Sequence, residues 1–218
     1  ARAYVPQHRT SRLPGSGVDL DAFTPSPVPS VAAGSCVFLM VARLLWDKGV
    51  RDYVDAARSL RAQWPGARFQ LLGPLDPSPR SGVPREVLDG WVAESVVEYL
   101  GETDDIRPYL RAADCVVLPS FYGEGVPRSL LEAAASARPV VTTDAVGCRD
   151  TVDPGVTGLL CAPRDSADLA LQMHTLLQMQ PQDRSRMGLA GRKKMEKEFD
   201  ERCVIDAYRA QIAALRRG

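Results

Sequence analysis

The chain has 218 residues, 45% of them hydrophobic, and its 27 basic and 27 acidic side chains cancel to a formal charge of zero. That balance excludes a nucleic-acid or anionic-membrane partner recognised by global charge and leaves any anion binding to local clusters. Two histidines and five dispersed cysteines without a C-x-x-C pair leave almost no material for a His-rich metal centre or a Ser-His-Asp relay, and they point to buried thiols in a reducing compartment.

Residues 1–30 are irregular and rich in Pro, Ser and Gly, with turn chemistry at 13–19 and 24–27, and they read as a linker or interdomain leader. Asp19-Leu20-Asp21 within it matches an Asp-x-Asp metal pattern but follows no buried strand, so no metal is expected there. An apolar run at 36–42 reads as a buried strand, followed by a basic loop and a helix over 50–64 with Val50, Tyr53, Val54, Ala57 and Leu60 on one face. Further strands are expected at 69–73, 96–100, 115–118, 139–142 and 158–161. Helices are expected at 84–92, with Pro84 at the first position, at 106–112, and over 167–178, 182–198 and 202–216. His174 falls among Leu171, Met173, Leu176 and Leu177 and reads as helix packing. No apolar run approaches the ~20 residues of a membrane span, and no signal peptide is visible. The chain opens on Ala1 without a methionine, as a fragment would.

Six short apolar strands alternating with helices predict an α/β fold, a parallel sheet with helices on both faces. Right-handed crossovers leave the Rossmann-like order 3-2-1-4-5-6 as the expected one, with a helical C-terminal tail. The domain organisation read from this is a leader (1–30), a Rossmann-like domain (31–180) and C-terminal helices (181–218). In that order strands 1 and 4 meet at the switch point, where ligands sit outside the carboxyl ends of the strands.

The stretch 119–134 leaves the fourth strand and enters a helix. Gly123 and Gly125 allow close backbone approach, and Pro127 suits the first helical position. The N–H groups of Arg128 and Ser129 at that positive helix end would seat a phosphate. Glu124 and Glu132 could accept bonds from sugar hydroxyls; the plainer alternative is a capping Glu and a solvated helix-face Glu. Arg43 and Lys48 flank the start of the first helix, where a cation is unfavourable unless an anion lies between, so a diphosphate without a divalent ion is the expected occupant. The plainer alternative is an exposed basic pair. The dinucleotide fingerprint is absent, since Arg128 stands where the third glycine would.

Taken together, Gly17-Val18-Asp19 with Phe23, Arg43…Lys48-Gly49, Gly73, Tyr99-Leu100-Gly101, Asp114, Leu118-Pro119-Ser120, Glu124…Glu132, Thr142-Thr143-Asp144, Gly147-Cys148-Arg149 and Met187-Gly188…Arg192 resemble the donor-binding half of family 4 of the retaining glycosyltransferases, whose fold is the two-Rossmann-domain GT-B architecture. Within the family the loop 121–127 looks most like enzymes of bacterial capsule, O-antigen and lipopolysaccharide assembly. The resemblance implies that Arg43 and Lys48 hold the donor diphosphate, Glu132 the ribose hydroxyls, and Glu124 the transferred sugar near its reacting carbon. The backbone of Gly125, Val126, Arg128 and Ser129 would cradle the distal phosphate, with Thr103 and Ile106 beside the base. The catalytic set is then Glu124, Arg43 and Lys48. Ala137 replaces a glycine frequent in the family, where a local packing adjustment is expected.

The function so implied is transfer of a hexosyl or N-acetylhexosaminyl group from a nucleotide-sugar donor, UDP favoured over GDP, with retention, to a glycan or lipid-linked acceptor. No metal or other cofactor is expected, and no nucleic acid. The acceptor would be bound by a preceding Rossmann domain absent from this chain, which alone would be inactive. A cytoplasmic location is expected, with peripheral contact at the inner membrane face. Two other readings stand beside it: a non-catalytic nucleotide-sugar-binding module, and another GT-B enzyme such as a nucleotide-sugar epimerase.

Overall fold

The computed structural model describes residues 15–27, 29, 35–76, 80–123 and 125–215. Six parallel strands of the described residues form one sheet in the order β3-β2-β1-β4-β5-β6: β1 (Cys36–Val41), β2 (Ala67–Leu72), β3 (Glu98–Tyr99), β4 (Cys115–Leu118), β5 (Val140–Thr143) and β6 (Gly158–Cys161). Among the described residues seven α-helices accompany them: α1 (Val50–Arg61), α2 (Arg85–Ala93), α3 (Arg107–Ala112), α4 (Arg128–Ala135), α5 (Ser166–Gln178), α6 (Pro181–Glu198) and α7 (Glu201–Leu215). The expected order is therefore the observed one. α1 leads from β1 towards one edge and α4 from β4 towards the other, so right-handed crossovers set them on opposite faces. α5 packs against α1, and α6 against α4.

The central strands carry apolar side chains on both faces because both are covered by helices. Phe38, Leu39 and Met40 of β1 and all four residues of β4 are buried. Phe38 stacks on Phe69 of β2 at 5.5 Å between ring centroids. Tyr53 of α1, fully buried, donates its hydroxyl to the Phe38 carbonyl at 2.9 Å, which removes the cost of burying it. His174 meets the edge of Trp64 at 5.7 Å, the packing role expected of it.

Two expectations are corrected. Pro84 and Pro127 are N-caps with extended backbone (ψ 145° and 125°), and their helices begin one residue later. The ring fixes φ near −65° in either position, so the proline itself does not decide between them. The Pro127 carbonyl accepts from Leu130 and Leu131, which closes the first turn of α4. The thiols of Cys36, Cys115, Cys148 and Cys161 are buried as expected, but Cys203 is exposed on α7.

Residues 15–27 lie on the domain. Val18 exchanges backbone bonds with Phe199 and Glu201 at the α6–α7 junction, and Val18 and Leu20 join a second apolar cluster with Leu131, Met195 and Phe199. The Arg192 guanidinium donates to the carbonyls of Leu20, Phe23 and Ala135. Arg138, fully buried, donates to the Ser26 hydroxyl and the Pro27 carbonyl, and burial draws its pKa down to about 10. Asp19 caps its own turn, its Oδ1 accepting from the N–H groups of Asp21 and Ala22 at 2.9 Å.

Candidate donor-binding site

The β1–α1 and β4–α4 loops are tied together at the switch point. Phe121 N–H and the Ser120 hydroxyl both donate to the Asp47 carbonyl, at 3.0 and 3.3 Å. Gly49, between a 3₁₀ turn (Trp46–Lys48) and α1, has φ 76°, and a Cβ there would stand 2.1 Å from the Pro119 carbonyl oxygen. Any side chain would push the two loops apart, so glycine is required on both counts. Gly73 closes the other wall, with φ 142° and room for a Cβ denied by the Ala42 carbonyl at 2.0 Å.

Between these loops lies a cleft of about 400 Å3 whose wall includes Arg43, Lys48, Gly73, Thr103, Ile106, Arg128, Ser129 and Glu132. The fold thus brings eight residues from four separate segments to one cavity. Seven of them are sequence-predicted site residues, and Gly73 joins them. Gly125 and Val126 precede the cleft in the loop; Val126 is half-buried against the second apolar cluster, and a Cβ on Gly125 would meet nothing within 4 Å. Glu124 lies outside the described residues.

The α4 N-terminus borders this cleft without a side-chain cap. Among the described residues the N–H groups of Arg128 and Ser129 meet no acceptor, so two donors at the positive end of the helix dipole are uncommitted. Glu132, one turn in, is largely buried, and burial raises its pKa while Arg128 at 3.3 Å pulls the other way. Arg43 reaches Asp76 at 3.4 Å and is well exposed. The Tyr99 hydroxyl donates to the Gly73 carbonyl at 3.1 Å and steadies the turn at that wall of the cleft. Thr103 accepts from Asp105 N–H at 3.1 Å, and Asp105 in turn accepts from Arg107 N–H at the start of α3. The Thr103 hydroxyl therefore orders the loop that carries Ile106.

The Arg128–Glu132 pair escaped the reading of the sequence, although its i, i+4 spacing at a helix start is a visible signal. Among the described residues no group of three or more His, Cys, Asp or Glu side chains is placed to hold a metal, and the five cysteines form no disulfide. None of the described helices is long and apolar enough to cross a membrane.

The chain matches the family model for glycosyl transferases group 1 over residues 35–179. It is 33% identical over 173 residues to the N,N'-diacetylbacillosaminyl-diphospho-undecaprenol alpha-1,3-N-acetylgalactosaminyltransferase of Campylobacter jejuni, covering 79% of this chain and 43% of that one. It is 31% identical over 186 residues to the amylovoran biosynthesis glycosyltransferase AmsK of Erwinia amylovora, covering 82% and 44%. Its fold superposes with a TM-score of 0.78 on Anabaena Alr3699/HepE in complex with UDP-glucose, at 23% identity, covering 91% of this chain and 56% of the other. The chain thus spans under half the length of both curated relatives. It belongs to the group 1 glycosyl transferases, family GT4 of the GT-B superfamily, and is related to enzymes of bacterial capsule, colanic acid and O-antigen biosynthesis.

Proposed function

We propose that this domain binds the nucleotide-sugar donor, UDP-linked in preference to GDP-linked, and that the protein it serves transfers a hexosyl or N-acetylhexosaminyl group with retention to a glycan or lipid-linked acceptor. The observation that carries the reading is the convergence of Arg43, Lys48, the uncapped α4 N-terminus and the buried Glu132 on one cleft. In this reading the two cations and the helix end hold the diphosphate and stabilise its negative charge as the sugar–phosphate bond breaks. Glu132 accepts hydrogen bonds from the ribose hydroxyls, and Glu124 holds the transferred sugar. The departing diphosphate leaves on the face from which the acceptor enters. The proposed setting is the cytoplasmic side of the membrane, with the acceptor bound by a second domain.

Titration calorimetry with UDP and GDP tests the binding step. UDP is expected to bind more tightly than GDP, with the same affinity in magnesium as in excess chelator, because cations of the protein already neutralise the diphosphate. Glu132→Ala should weaken UDP binding by about 1.5–3 kcal/mol, the range for hydrogen bonds to a charged group. Binding that needs a divalent ion, or an unchanged affinity in the folded variant, would remove the assignment.

A further inference from the structure

A second cavity, of about 430 Å3, opens on the same carboxyl edge of the sheet and is lined by Trp46, Arg51, Asp52, Phe121 and Arg164. It adjoins the donor cleft through the Asp47–Phe121 bond but shares no lining residue with it. The Arg51 guanidinium carbon stands 4.8 Å over the Trp46 ring, and that of Arg164 stands 4.5 Å over Phe121. Trp46 is itself anchored, its ring edge-on against Trp91 at 6.2 Å and its backbone N–H on the Ser81 carbonyl. Arg164 adopts a left-handed backbone (φ 59°), a conformation that a branched or long side chain rarely takes.

These polar groups act on one another through charge and stacking, with Arg51 and Arg164 both drawing the Asp52 pKa down against burial, but not through hydrogen bonds. Among the described residues, Arg51 and Arg164 donate no hydrogen bond and form no ion pair, and Asp52 accepts no hydrogen bond. The other carboxylates near Asp52 are occupied: Asp55 pairs with Arg58 at 2.6 Å, and Asp165 accepts from the first N–H groups of α5. Burial raises the Asp52 pKa, which fits its place in the recess. The lining therefore holds two guanidinium forks, one carboxylate and two aromatic rings, two cations against one anion, with the Asp55 and Asp165 carboxylates close by.

Each component matches one part of a charged sugar. An aromatic ring offers an apolar surface to the C–H face of a pyranose, a guanidinium fork binds a carboxylate or phosphate by paired hydrogen bonds, and a carboxylate accepts from hydroxyls. We infer that this cavity is a saccharide subsite selective for a hexopyranose bearing an anionic group, and that it receives such a residue of the acceptor. The word acceptor rests on the transferase reading above; the binding does not.

The test is heteronuclear NMR titration of the 218-residue chain with D-glucuronate, glucose 6-phosphate, glucose and UDP. At least one of the two charged sugars should perturb the indole signal of Trp46, and glucose should bind at least tenfold more weakly. Whichever charged sugar binds identifies the anionic group as carboxylate or phosphate. Arg51→Ala and Arg164→Gly, the latter compatible with the left-handed backbone, should each weaken the charged sugar at least fivefold and leave UDP affinity within twofold. Glucose binding as tightly as the charged sugars, indifference to both substitutions, or displacement of the sugar by UDP would overturn the inference. Normal UDP binding with no charged sugar bound would also sink it while leaving the donor reading intact. The reverse result would sink the donor reading and leave the subsite.

Discussion

Glu132 carries opposing demands in one side chain. Its carboxyl is buried at the cleft, and folding raises its pKa above the ordinary 4.5, with the Arg128 guanidinium offsetting part of the rise. A group whose pKa rises on folding binds its proton more tightly in the native state. Its contribution to stability is therefore complete below pH 4.5 and is lost as pH increases through the raised value. Above the raised value the charged carboxylate is a burden on the empty domain, and ribose hydroxyls, as donors to the charged form, would relieve it. Glu132→Gln should accordingly gain stability relative to the parent as pH rises from 4.5 towards 7, while losing affinity for UDP. Urea unfolding of both proteins at several pH values measures the difference; a gap that stays constant across that range would show that Glu132 titrates as it does in the unfolded chain.

At the scale of elements, the turn between α4 and β5 shows what the Ala137 substitution does. Arg138 N–H bonds back to the Ala133 carbonyl and Ala137 N–H to that of Ala134, the paired bonds of a Schellman cap, with Ala137 at φ 57°. An L-residue in that conformation costs roughly 1–2 kcal/mol, of which glycine would return part to unfolded-state entropy. Ala137→Gly is therefore expected to stabilise the domain by about 0.5–1 kcal/mol, or roughly 2–4 °C in Tm for each kcal/mol in a chain of this size, without changing UDP affinity. A lower Tm would mean that the buried methyl group contributes more packing than its backbone strain costs. The same turn shows how far a sequence can be read. β4 and β6 were legible to the residue because four apolar positions in a row, bounded by turn residues, allow little else, and the handedness of crossovers then orders all six strands. β3 was legible only as a place: five residues looked like strand, yet this edge element pairs only through Gln70 and Leu71 and keeps two. The bond from Phe121 to Asp47 and the grip of Arg138 on Ser26 were illegible, since they join residues far apart in the chain and leave no local period. The donor cleft stood between these cases. Its residue types announced anion binding, whereas the burial of Glu132 and the exclusion of Gly125 and Val126 from the wall depend on how α4 enters the sheet.

For the whole molecule, the question is what one such domain does alone. The chain covers 43% and 44% of the two curated relatives described above, and its described cleft walls all come from a single sheet. The C-terminal helix points the same way: Val204 is buried, while Ile205, Tyr208 and Ile212, at helical spacing, are 42%, 57% and 50% exposed, an apolar stripe left open among the described residues. On the proposed reading this chain binds and polarises the donor, whereas the attacking hydroxyl is fixed against it by a second domain across the donor cleft. Loss of that positioning can raise a barrier by ~7–11 kcal/mol, enough to abolish measurable turnover while leaving donor affinity untouched. The 218-residue chain should therefore bind UDP and yet release no sugar to an acceptor extract. The measurement is radiolabelled sugar transfer from a panel of UDP-hexoses and UDP-N-acetylhexosamines, with a two-domain enzyme of the same family run in parallel and UDP binding checked on the same sample. Transfer by this chain at a rate comparable to the two-domain enzyme would place the whole reaction within residues 1–218, and the acceptor would then have to be held by this domain's own surface, beside the Trp46–Phe121 cavity.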